Sequence, residues 1–142
     1  MPVPARGVIL LAAALHAATA FARAQVSVPE QDLARLRRDA SGPHPPSASQ
    51  IARELDHVAL AFLERGEIGR AIELFSEASE RDPASGAALA HLALAYVRNG
   101  DFEFGRAALD LAASVPDAPA APFCEIGSLY AEAHRLDDAM AA

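Results

Sequence analysis

The sequence has no lysine and no tryptophan, one cysteine (Cys124), and aromatic residues at only 6% of its 142 positions. Each shortage removes a class of explanation. A single cysteine builds no internal disulfide framework and no metal cluster of its own. Twelve arginines carry all the fixed positive charge against nineteen acids, for a formal net charge of −7. A surface of that sign repels phosphate backbones, whose neutralisation dominates nucleic-acid affinity, so no nucleic-acid partner is expected. With so few aromatics in a chain that is 52% hydrophobic, the apolar content is mainly Ala and Leu, and the core should be finely grained and helical. The length suits one modest domain. Catalytic signatures are also missing: there is no Gly-rich phosphate loop, no nucleophile elbow and no His pair at helical i, i+4 spacing. Asp137 and Asp138 are neighbours on a helix and do not face each other. No enzyme activity, cofactor or metal site is therefore expected.

What is present begins with a leader. Residues 1–24 carry Arg6, a weakly apolar run from Val8 to Ala22 that includes His16, and then Ala22-Arg23-Ala24, the small-x-small pattern of a signal peptidase site. The expected cut after Ala24 makes Gln25 the first mature residue and places the protein in the periplasm or the medium. The apolar run is shorter than the roughly 20 residues that span a bilayer. No stable membrane insertion is expected once the leader is removed.

The next segment, residues 25–49, reads as a short helix followed by a Pro/Ser-rich linker. Helical periodicity then runs from residue 50 to the end. Ser47 and Gln50 have capping-box spacing, and Ile51, Leu55, Val58, Ala59 and Phe62 recur on one face before Arg65-Gly66. Further helices are expected from Glu67 to about Arg81, from about Ser85 to Arg98, from Asp101 to about Ser114 and from about Ala120 to His134. A sixth is expected to begin at Leu136.

A shift of 34 residues overlays this region on itself. Leu55, Leu89 and Phe123 coincide, as do Val58, Leu92 and Ile126; Ala59, Ala93 and Gly127; Phe62, Tyr96 and Tyr130; Ile68, Phe102 and Leu136; and Ala71, Gly105 and Ala139. A fixed period of this length marks a solenoid of helix–turn–helix units. In the first unit the signature residues are Leu55, Val58-Ala59, Phe62, Ala71, Phe75 and Pro83, and the pattern resembles the tetratricopeptide repeat. The fold expected is an all-α solenoid of about two and two-thirds repeats, with units near 52–85, 86–119 and 120–142, the last truncated. Gly105 in place of the usual Ala should loosen the second unit, and Asp117 stands where the first unit has Pro83. No polar capping helix follows the third unit, although solenoids usually need one. That leaves two alternatives open: a fragment of a longer exported protein whose functional domain lies beyond residue 142, or an end covered by a partner or a second copy.

The resemblance implies a protein or peptide partner held in a concave groove lined by the first helix of each unit. Carried over, the lining comprises Arg53, Asp56, Leu60, Leu63 and Glu64, then Ala87, Ala90, Leu94, Val97 and Arg98, then Ala121, Cys124, Ser128, Ala131 and Glu132. Family members that clamp a C-terminal carboxylate use Lys and Asn there, where this chain has Asp56 and Leu60, so an apolar segment suits the groove better. His57, His91 and Glu125 fall one repeat apart and form a weaker candidate for zinc.

Overall fold

The computed structural model describes residues 29–141, with side chains through residue 134. The expected leader, residues 1–24, lies outside the described residues. Six helices and no strand occur among them: α1 Pro29–Ala40, α2 Ala48–Glu64, α3 Ile68–Arg81, α4 Gly86–Arg98, α5 Phe102–Ala113 and α6 Ala120–Ala141.

Local chemistry sets the boundaries. Ser47 caps α2 through the reciprocal box with Gln50, each side chain bonding the other residue's backbone N–H. The ends of α2 and α4 share one reversal. Gly66 and Gly100 take φ of +79° and +87°, a region closed to most L-residues. Beside them the Glu67 N–H donates to the Phe62 carbonyl and the Asp101 N–H to the Tyr96 carbonyl, both at 2.9 Å. These are Schellman closures, and each turns the chain straight into the next helix. Helix α5 stops at Ala113, earlier in register than α3, because Pro116 disfavours helix in the residue before it.

The third unit departs from expectation. Helix α6 does not end near His134 but continues as one helix to Ala141. Its register position 134 holds His where the earlier units hold Gly66 and Gly100, so the left-handed turn has no residue suited to it.

Helix α2 packs on α3 and α4 on α5, and α4 also contacts α2, α3 and α6. Enclosed in this way, α4 is buried on nearly every side, which suits its Ala- and Leu-rich sequence. One continuous core runs from Leu36 of α1 through Leu55, Phe62 and Phe75 to Ile126 of α6. The second hairpin is closely packed rather than loose. A Cβ on Gly105 would lie 2.5 Å from Val97 Cγ2 and 3.3 Å from both the Ala93 carbonyl oxygen and the Val97 amide nitrogen. Glycine is what lets α5 approach α4 this closely.

Helix α1, read from the sequence only as a short helix ahead of the repeats, belongs to the stack. Leu36 is buried and Leu33 packs beside it. Glu30 bonds Arg65 at 3.0 Å and lies near Arg70, while Arg37 pairs in bidentate fashion with Glu77, which also binds Arg81. The Arg37 guanidinium, helped by Arg81, holds the Glu77 carboxyl below the usual carboxylate range. In the register of α5, Arg70 and Glu77 become Phe104 and Leu111, both exposed. The second step of the stack thus lacks the ion-pair brace that joins α1 to α3.

Gly105→Ala should cost about 1–3 kcal/mol in urea unfolding, since the β-branched Val97 has little rotamer freedom to yield. Gly69→Ala, on an open helix surface with nothing within 4 Å of the new methyl, should gain about 0.5–1 kcal/mol. The Glu77 pKa is depressed on folding, so its contribution is present above the ordinary carboxylate range and is lost as pH falls through the folded value. Glu77→Gln should lower stability at neutral pH by about 0.2–1 kcal/mol, and that difference should shrink below about pH 4 in unfolding curves collected across pH.

Candidate functional site

The first helices of the units, α2, α4 and α6, form a groove where Leu60, Leu63 and Glu64 meet His91, Leu94 and Arg98 on one side and Ala121, Pro122 and Glu125 on the other. Packing against the second helices fixes their rotation. Phe62 and Ala59 face α3, which turns Leu60 and Glu64 outward.

Leu60 is half-buried on the floor. Leu63 and Leu94 also reach it but are only 5% exposed. Arg98 donates from Nε to Glu125 Oε1 at 2.8 Å and again through Nη2, fastening α4 to α6 across the groove. Farther along, His91 Nδ1 lies 2.8 Å from Asp56 Oδ1, with both side chains largely shielded. A carboxylate oxygen only accepts, so the imidazole N–H donates here. The pair ties α2 to α4. Glu64 is exposed on the rim.

The expected lining is therefore only partly gathered. Leu60, Leu63, Glu64, Leu94, Arg98 and Ala121 do meet in one groove. Ala90 and Val97 are buried instead: Ala90 clusters with Leu89 and Ala112, and Val97 faces Gly105 on α5. They lie one step round from the packing face, but α4 has packing faces on several sides. Arg53 is exposed and points away from the groove into the cleft between α1 and α2, beside Arg35, Asp39 and Gln50. Cys124 and Ser128 are exposed on α6, where the Ser128 hydroxyl donates to the Cys124 carbonyl at 3.2 Å. Neither contributes to the groove lining.

The groove roles of His91 and Glu125 were missed, although the one-repeat stripe marked both residues. They are bound to Asp56 and Arg98 rather than gathered with His57, which lies beside α1 near Asp32 and Glu54. Among the described residues, no group of three or more His, Cys, Asp or Glu is placed to hold a metal ion, and no helix is long and apolar enough to cross a membrane.

A family model for the tetratricopeptide repeat matches residues 62–122, from the end of α2 into the start of α6. The fold is an all-α helical repeat solenoid, and the match supports the tetratricopeptide repeat family. No curated protein and no solved structure gives a significant match. Repeats of this family generally mediate interactions between proteins.

The Asp56–His91 bond makes a local prediction. Asp56→Ala strands a shielded imidazole donor and should cost about 1 kcal/mol, whereas Asp56→Asn keeps an acceptor and should cost less, as read by chemical unfolding of both variants.

Proposed function

We propose that this protein is an exported, non-enzymatic adaptor that holds a segment of another protein in the groove between α2, α4 and α6. The observation carrying this reading is the groove itself: a half-buried Leu60 floor with Glu64 and the Arg98–Glu125 pair on its rims. An apolar floor between charged rims suits an amphipathic or extended segment, which gains area on the floor and register from the rims. The acidic balance of the chain argues for protein over nucleic acid. Export is supported by the layout of residues 1–24, with the mature protein in the periplasm or medium and free of the bilayer.

A photoreactive residue in place of Leu60 should crosslink a distinct protein in the native cells, while the same residue at Arg106, exposed on α5, should not. Equal labelling at both positions would count against the groove. The intact mass of the cellular protein should begin at Gln25; a retained leader would point instead to an anchored form.

A further inference from the structure

In the first two hairpins, the face that the first helix turns toward the second is sealed: Ala59, Phe62 and Ala93 have no exposure. The same face of α6 is open. Gly127, in register with Ala59 and Ala93, is exposed, and a Cβ there would meet nothing within 4 Å. Ala131, in register with the buried Val97, is exposed too, while Tyr130 is half-buried like Tyr96 and packs on Phe102. Among the described residues, no helix therefore covers this packing face on the first half of α6.

The second half of α6 carries the sequence such a face receives. In residues 136–141, Leu136 falls in register with Ile68 and Phe102, and Ala139 with Ala71 and Gly105. Gly105 marks a close approach of the two helices of a hairpin, against Ala93 and Val97. By register, Ala139 is the counterpart of Gly127. The two cannot meet within one chain, because α6 is a single helix through position 134. Residues 127 and 139 are separated along it by about 18 Å. Complementary surfaces held apart in one copy can be joined by exchange between two, and a two-fold axis satisfies both copies at once.

We propose that two copies of this chain pair antiparallel along α6, each laying residues 136–141 on the Gly127 face of the other and so completing the other's third hairpin. The two-fold axis passes near Ala133, midway between Gly127 and Ala139. This surface is separate from the Leu60 groove and does not depend on what that groove holds.

Three measurements test the pairing on the full chain. Light scattering should give twice the chain mass at micromolar concentration; a single-chain mass throughout that range overturns the proposal. Gly127→Cys with Ala139→Cys, in a Cys124→Ser background, should oxidise to a covalent dimer on a non-reducing gel. An internal disulfide or no crosslink contradicts it. Ala133→Asn with His134→Gly restores the Asn-Gly turn of the second unit, lets residues 136–141 fold back on their own chain, and should weaken self-association about tenfold or more. Undiminished association in this variant also overturns the proposal.

Discussion

How closely two helices of a hairpin can approach governs the rest of this structure. At the crossing of α4 and α5 the backbone of Gly105 lies so near Ala93 and Val97 that a methyl group would not fit. That approach needs a small residue at the crossing and a chain reversal short enough to keep the helices in register. Gly66 and Gly100 supply the reversal. Once the hairpins close, their Leu, Ala and Phe faces merge into one core from α1 to α6, and the first helices are held side by side. The groove is the outer face of that alignment, and its cross-links, Asp56–His91 and Arg98–Glu125, join neighbouring first helices.

The same constraint explains the open end. Position 134 carries the register of the two turn glycines but holds His. Without a residue at ease in the left-handed region, α6 runs on, and Gly127 is left facing outward. One residue type at one repeat position thus separates a closed hairpin from an open one.

Much of the fold was legible in the sequence because it is written locally and repeated. The 34-residue shift aligned Ala59 with Ala93 and Phe62 with Tyr96, and the Ser47–Gln50 box and the two Gly turns fixed helix ends within a residue or two. The misreadings arose where a neighbour decides the outcome. Ala90 and Val97 looked like groove floor from the helical wheel of α4 alone, but that helix is surrounded and they serve its other contacts. Arg53 sits on the first helix of its unit, yet α1, whose docking no periodicity specified, places it in a different cleft. The apolar register of Leu136 and Ala139 suggested a new helix, whereas the chemistry of the turn before it determined the backbone path. Gly105 looked like a weakness by propensity and proved to be a packing requirement, because propensity ignores the partner helix.

The two closed hairpins and the groove between them share one core and should therefore open as one unit. Residue-resolved amide hydrogen exchange tests this most directly, since it measures the free energy at which each element opens. The central amides of α2, α3, α4 and α5 should exchange at a common free energy close to that of global unfolding. Two distinct levels, one for α2–α3 and a lower one for α4–α5, would contradict it and make the groove a junction between independent hairpins.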